Sequence, residues 1–170
     1  MIHRIKILIL LYFAITIPLK AQVPIILDAD LDSDVDDVGA LAMLHTLEDN
    51  QRINILGVVV TSDDIDAAAC AAAINTYYGR PDIPIAVEKG VALRSFSKYT
   101  KTLATTFPHP LKEGRQPEDA TQLYRRLLAN SPDNSVIIIS IGHLTNVRNL
   151  LESKPDDISP LDGKELIKKR

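Results

Sequence analysis

Six aspartates are crowded into one short segment near the beginning of the chain, within "PIILDADLDSDVDDVGALAML" at positions 24–44. Like charges at such spacing repel one another, so a folded chain holds them together only if a positive group lies among them. Carboxylates are hard oxygen donors of the kind that Ca²⁺ prefers, and they also act as general bases. The segment therefore predicts a cation site with acid–base chemistry. Its aspartates are Asp28, Asp30, Asp32, Asp34, Asp36 and Asp37.

The acidic segment lies between two patterned stretches. The apolar run "VPIIL" before it is typical of a buried strand, and "VDDVGALAMLHTLEDN" after it predicts a helix capped by Asp36 or Asp37. Similar patterns recur along the chain. Three more strands are predicted in "INILGVVVT", "DIPIAVEKG" and "SVIIISIG", and three more helices in "SDDIDAAACAAAINTYYG", "QPEDATQLYRRLLAN" and "LTNVRNLLES". Residues 90–116 are expected to be irregular.

This alternation predicts the fold class. Strands that are apolar throughout suit a parallel sheet covered on both faces, so we expect an α/β fold with a Rossmann-like, doubly wound, mostly parallel sheet. Ligands of such sheets bind beyond the carboxyl ends of the strands. Three loops are expected to meet there: 28–37, 61–64 and "GHLTN" at 142–146. The tail "PDDISPLDGKELIKKR" offers no closing strand, so the fold is expected to be incomplete at its carboxyl end.

Composition and charge exclude some functions. The 170 residues suffice for one domain with a sizeable core. The net charge is −3, and the absence of a basic stripe makes nucleic acid a poor partner. Cys70 is the single cysteine, which excludes an intramolecular disulfide and a cysteine-based metal site.

The first 21 residues have the layout of a secretory signal peptide. Basic "MIHRIK" precedes apolar "ILILLYFAITIPL", and Ala21 offers a small residue for cleavage. Residues 22–170 would then be the mature domain, secreted or periplasmic, with no membrane contact after cleavage. Loss of Arg4, Lys6 and Lys20 would lower the net charge from −3 to −6. A retained anchor is the alternative.

Two other classes of site also use an acidic loop. An EF-hand needs Gly at its sixth position and Glu at its twelfth, and no register of the segment supplies both. A haloacid-dehalogenase-like phosphohydrolase also begins with a strand ending in Asp-x-Asp, which "IILDADLD" resembles. In that alternative Asp28 would be the nucleophile and Asp30 the acid/base, beside Mg²⁺. It leaves the four further carboxylates without a role.

More of the chain resembles the nucleoside hydrolase family of the inosine–uridine preferring type. The similar segments are "IILDAD", "LDSDV", "DD" and "VGALAML" in the acidic loop, then "LGVVVTSDD", "TYYGRPDIPIAV" and "VIIISIGHLTNVRNLL". Together they cover roughly residues 23–155. Two positions depart from the family pattern, because Asp32 stands where glycine is usual and Ser33 where asparagine is usual.

The resemblance implies an activity and a set of roles. The family hydrolyses the N-glycosidic bond of nucleosides through a calcium-bound water. By this resemblance Asp30 would be a calcium ligand and the general base, Asp37 a second ligand, and the backbone carbonyl of Ile141 a third. Asp34 or Asp36 would hydrogen-bond a ribose hydroxyl, and Asp64 would contact the sugar. Asp28 would shape the turn.

The resemblance also implies what these 170 residues lack. Nucleoside hydrolases of this kind are roughly twice as long, and their later half supplies a further calcium-ligating aspartate, a histidine that protonates the leaving base, and more sugar contacts. The chain is therefore expected to be inactive or incomplete by itself, and a non-catalytic truncated remnant stays open as an alternative. The implied cofactor is Ca²⁺, the implied partner is a small nucleoside, and a homo-oligomer is possible.

Overall fold

The protein is described by a computed structural model that covers residues 21–31, 34–62, 64, 66–90, 97–112, 114 and 116–170. The predicted signal peptide, except Ala21, lies outside the described residues. So do the two departures from the family pattern, Asp32 and Ser33. Among the helices of the described residues, none is both long and apolar enough to cross a membrane.

The described strands form one five-stranded sheet in the order β4-β3-β2-β1-β5, and every neighbouring pair is parallel. The predicted parallel sheet is thereby confirmed. Four successive strands run from β1 to one edge, and β5 then returns to the other side of β1. The strands are β1 (Val23–Ala29), β2 (Ile53–Val60), β3 (Ile85–Val87), β4 (Glu118–Asp119) and β5 (Ile137–Ser140).

Helices cover both faces of the sheet, as the doubly wound layout requires. Side chains of β1 alternate between the faces: Ile25 and Leu27 pack in the core on the side of α1 and α2, whereas Ile26 packs on the side of α4, α5 and α6. The helices are α1 (Asp36–Asp49), α2 (Ala67–Tyr77), α3 (Thr100–Thr106), α4 (Ala120–Ala129), α5 (Thr145–Glu152) and α6 (Gly163–Lys169).

Some boundaries differ from the sequence-based expectation. Helix α1 begins after Val35 with no side-chain cap, because Asp37 turns its carboxylate back to the preceding loop. Helix α4 begins only after Asp119, which accepts a hydrogen bond from the backbone N–H of Gln122. Helices α3 and α6 were not predicted. The tail instead folds as α6, with a capping box formed by Asp162 and Glu165.

The strand order creates a topological switch point between β1 and β5. The chain leaves these two neighbouring strands toward opposite faces, so a crevice opens beyond their carboxyl ends. Asp30 follows β1 and Ile141 follows β5 at this place. The fold therefore brings the acidic segment and the "GHLTN" segment to one edge, as predicted.

Candidate functional site

Three strand ends meet closely at the switch point. The backbone N–H of Thr61, after β2, donates to the carbonyl of Ala29 over 3.0 Å, and the N–H of Ile141 donates to the carbonyl of Asp28 over 2.9 Å. A Cβ atom at Gly142 would lie 2.6 Å from the backbone nitrogen of Asp30 and 2.9 Å from Thr61 Oγ1. Only glycine fits there, so the loop after β5 touches the backbone of the acidic segment.

Asp37 organises the turn that follows β1. Its Oδ2 accepts hydrogen bonds from the backbone N–H groups of Asp30, over 3.1 Å, and Leu31, over 2.6 Å. Leu31 has a φ of 53°, in the left-handed region that leucine rarely adopts, and it is buried. The two hydrogen bonds and the buried leucine side chain hold this conformation. The turn thus places Asp30 at the mouth of the crevice.

Asp30 and Asp37 present their carboxyl groups to each other. Burial and the neighbouring side chain of Asp30 together raise the pKa of Asp37 to about 6, against the opposing effect of the hydrogen bond from Leu31. Oδ1 of Asp37 is buried and has no hydrogen-bond partner among the described residues. A buried carboxylate oxygen without a donor is costly. A proton or a cation at this position would relieve both the repulsion and the missing contact.

Asp28 is the most enclosed of the described aspartates in the segment, and it is fully satisfied. Tyr124 Oη donates to its Oδ2 over 2.8 Å, and Asn146 Nδ2 donates to its Oδ1 over 3.2 Å. Its exposure is 0%. Burial raises the pKa of Asp28 to about 6, although the two hydrogen bonds oppose that shift. With both oxygens occupied inside the core, Asp28 is not placed as a nucleophile, which argues against the phosphohydrolase alternative.

Asp34 and Asp36 lie on the exposed rim of the same loop. They are close enough for the side chain of Asp36 to raise the pKa of Asp34, with the charge of Asp36 adding to the effect. Their carboxylates are therefore accessible from solvent beside Asp30, where a polyhydroxylated ligand could be hydrogen-bonded.

Asp64 lies in the loop after β2. Its Oδ1 accepts a hydrogen bond from the N–H of Asp66 over 2.9 Å, and its Oδ2 accepts one from the hydroxyl of Thr100. Its carboxylate thereby joins this loop to the start of α3. The neighbouring Tyr99 lies close to the acidic segment. Burial raises the pKa of Tyr99, and the nearby groups of Cys70, Asp37, Asp30 and Asp34 raise it further.

Ile141 and His143 lie in the loop after β5. Ile141 is 43% exposed, and its N–H is bonded to Asp28 as described above. Nδ1 of His143 lies 3.7 Å from Oδ2 of Asp30, too far for a hydrogen bond. The loop therefore places a backbone segment and an imidazole next to the same carboxylate.

The donor chemistry fits a hard cation. Asp30, Asp37 and backbone carbonyls are oxygen donors, and the unpartnered Oδ1 of Asp37 is the ligand atom that the site leaves open. Within the described residues no group of three or more His, Cys, Asp or Glu side chains lies close enough to hold a metal ion.

Sequence reasoning missed three residues that build this site. Tyr124 lies in a helix whose pattern gives no hint of a contact with β1, about a hundred residues earlier in the sequence. Asn146 lies in the first turn of α5, and its side-chain amide donates to Asp28, a contact that the helical pattern does not indicate. Gly142 carried a usable signal, because a glycine directly after an apolar parallel strand often marks close backbone approach.

Comparisons with known proteins agree with this architecture. The family model of the inosine–uridine preferring nucleoside hydrolases matches residues 25–163. Among solved structures, the chain is similar to an inosine–uridine preferring nucleoside hydrolase from Bacillus anthracis, with a TM-score of 0.57 and 17% sequence identity. The similarity covers 77% of this chain and 46% of that one, so the chain spans about half the length of the solved relative.

No curated protein compared with the chain matches it. The family model spans most of the sequence, from within β1 to the first residue of α6, and includes the acidic loop and the segment after β5. The chain therefore belongs to the inosine–uridine preferring nucleoside hydrolase family.

Proposed function

We propose that this chain carries the cation-binding half of an N-glycosidic hydrolase that acts on nucleosides. The observation that carries the proposal is the pair formed by Asp30 and Asp37 at the β1/β5 switch point. One buried oxygen of this pair has no hydrogen-bond partner among the described residues. A site with that unmet demand, at the place where such folds bind ligands, favours a hard cation.

Asp30, Asp37 and the carbonyl of Ile141 would hold Ca²⁺. Bound there, the ion would supply positive charge that offsets the repulsion between carboxylates and acidifies water at the site. Asp30, partly exposed at the mouth of the crevice, would take a proton from the attacking water as general base. The exposed position of Asp30 and the enclosed position of Asp28 support this division of roles.

The substrate side of the site would be polar. Breaking an N-glycosidic bond builds positive charge on the ribose, so carboxylates around the sugar stabilise the transition state. Asp34 or Asp36 would accept a hydrogen bond from a ribose hydroxyl, and Asp64 would contact the sugar from the loop after β2. The exposed rim position of Asp34 and Asp36 supports their part.

A calorimetric titration tests the metal assignment. The chain should bind Ca²⁺ in preference to Zn²⁺, because each proposed ligand is a hard oxygen. Affinity should be weak, because only two carboxylates contribute. The double variant Asp30→Asn/Asp37→Asn should lose the binding heat, whereas Asp157→Asn, which removes an exposed carboxylate far along the sequence, should retain it. Equal binding by the double variant would place the site elsewhere.

The proposal also includes export of the protein and its assembly into a homo-oligomer. The basic-apolar-small layout of residues 1–21 supports secretion with cleavage after Ala21. Amino-terminal sequencing of the protein from its native host tests this, and an intact Met1 in a cytosolic fraction would contradict it. Light scattering of the purified chain tests the proposed homo-oligomer.

A further inference from the structure

Asp28, Tyr124 and Asn146 form a buried hydrogen-bonded group beneath the site. All three are 0% exposed. They come from three different elements, because Asp28 lies in β1, Tyr124 in α4 and Asn146 in the first turn of α5. The carboxylate of Asp28 is the shared acceptor, with Tyr124 at 2.8 Å and Asn146 at 3.2 Å. The group thus joins the sheet to two helices at the switch point.

The same aspartate fixes both ends of the loop that follows β5. At its beginning, the backbone carbonyl of Asp28 accepts from the N–H of Ile141. At its end, the side chain of Asp28 accepts from Asn146. Between these points lies Gly142, against the backbone nitrogen of Asp30. Asp28 therefore contacts this loop at both of its ends, on either side of the point where Gly142 meets Asp30.

Tyr124 holds the side chain of Asp28 from the core. Its ring is enclosed in the core between α4 and the sheet, so its hydroxyl belongs to neither site loop. Asn146 turns its amino group to Asp28, and its Oδ1 is left without a hydrogen-bond partner among the described residues. Leaving a buried amide oxygen without a donor costs free energy, and the hydrogen bond from the amide nitrogen to Asp28 offsets this cost.

We propose that Asp28, Tyr124 and Asn146 are positioning residues, which set the distance between the 141–146 loop and the Asp30–Asp37 pair. The inference rests on the proposed function, since that pair and the carbonyl of Ile141 are the ligands assigned above. None of the three positioning residues touches the cation or the substrate. Asp28 acts through its covalent neighbours and through Ile141, and Tyr124 acts through Asp28.

The test is the variant Tyr124→Phe, which removes one hydroxyl and keeps the ring. Outer partners of metal ligands typically change metal affinity by about 10–100-fold when removed. We expect the calorimetric Kd for Ca²⁺ to rise by about tenfold or more, at a temperature where circular dichroism shows the variant folded. The matched control is Tyr77→Phe, because Tyr77 is 74% exposed, and it should leave the Kd unchanged.

A second measurement needs no metal. Hydrogen exchange of the metal-free chain reports how firmly the amides of Asp30, Leu31 and Ile141 are held. In Tyr124→Phe these amides should exchange at least about tenfold faster, while Ile26 in the middle of β1 changes less. An ordinary loss of global stability would instead accelerate all of them in parallel.

The outcomes separate the inference from the proposed function. If the wild-type chain binds Ca²⁺ and Tyr124→Phe binds equally well, the positioning role is wrong and the metal assignment stands. If the wild-type chain binds no Ca²⁺, the metal assignment fails, and hydrogen exchange alone decides the inference. Exchange that is unchanged, or faster only in parallel with Ile26, overturns it.

Discussion

Two buried aspartates of the acidic segment, Asp28 and Asp37, have different hydrogen-bond partners. Asp28 receives two side-chain donors and is complete, whereas Asp37 uses one oxygen for two backbone N–H groups and keeps the other without a donor among the described residues. Burial raises the pKa of both to about 6. At the residue scale, Asp28 and the proposed ligand Asp37 therefore differ in their hydrogen bonds and not in their burial.

Gly142 packs so closely against the backbone of Ala29 and Asp30 that no side chain fits at this position. We expect Gly142→Ala to destabilise the protein by about 1–3 kcal/mol, because the added methyl group meets the rigid backbone of Ala29 and Asp30 and must push two strand ends apart. The same displacement should weaken Ca²⁺ binding. Urea unfolding measures the first effect and calorimetry the second.

Gly39 supplies the control for that substitution. It lies in the first turns of α1, and a Cβ atom there would meet nothing within 4 Å. Gly39→Ala should therefore leave stability unchanged or raise it by up to about 1 kcal/mol, since alanine favours a helix. A Gly142→Ala protein as stable as wild type would show that the loop after β5 approaches the acidic segment less closely than described.

At the scale of elements, α4 is tied to the last part of the chain by Arg125. This guanidinium is 1% exposed and donates to both carboxylate oxygens of Asp156, each over 2.8 Å. It also donates to Ser153 Oγ and to the carbonyls of Ser159 and Leu161. These contacts fix the segment between α5 and α6, and they support α6 against α4.

The pairing predicts a pH-dependent stability. Arg125 holds the pKa of Asp156 below its usual value of 3.8. A lowered folded-state pKa stabilises the protein fully above the unfolded value, and this stabilisation is lost as the pH falls through the folded value. Asp156→Asn should therefore lower the free energy of unfolding by about 1–3 kcal/mol at pH 7, and its difference from wild type should shrink below about pH 4.

Urea unfolding at several pH values checks this prediction. The exposed neighbour provides the comparison, and Asp157→Asn should change stability by less than about 0.5 kcal/mol at every pH. A difference between Asp156→Asn and wild type that persists undiminished at pH 3 would show that charge pairing is not its cause.

The elements also show which features of the structure can be inferred from sequence. The apolar runs predicted the four longest strands, and their alternation with helices predicted the parallel, doubly wound sheet, because both signals are local. Strand β4 has two residues and lies where a helix start was expected, since its pairing depends on β3 and not on its own pattern. Helix α6 carried a readable signal that was overlooked, the Asp162–Glu165 capping box before an apolar position.

The location of the site could be predicted from the sequence, but the surroundings of its individual aspartates could not. The crowding of aspartates identified the loop, and the sheet topology identified the segment that meets it. Which aspartate is enclosed and which is open could not be inferred, because Tyr124 and Asn146 approach from elements 96 and 118 residues away from Asp28. Such contacts are set by the packing of helices on the sheet, for which the sequence has no periodic signal.

At the scale of the whole molecule, the loops after β1, β2 and β5 meet at one edge of the sheet. The sheet places the acidic turn at its switch point, and the similarity to the solved relative covers 46% of that protein. The imidazole of His143 lies beside Asp30.

We predict negligible hydrolysis of inosine or uridine by the 170-residue chain, because it spans about half the length of the solved relative. Loss of leaving-group protonation alone costs about 10²–10⁴-fold, and an incompletely held ribose adds a further loss of orientation. Release of reducing sugar with Ca²⁺ present measures the rate, and a complete nucleoside hydrolase in the same assay serves as the positive control. Robust turnover by the 170-residue chain, abolished in the Asp30→Ala variant, would show that these residues suffice for the reaction. Release of phosphate from a phosphorylated substrate, lost in Asp28→Asn, would instead favour the phosphohydrolase alternative, against the enclosed position of Asp28.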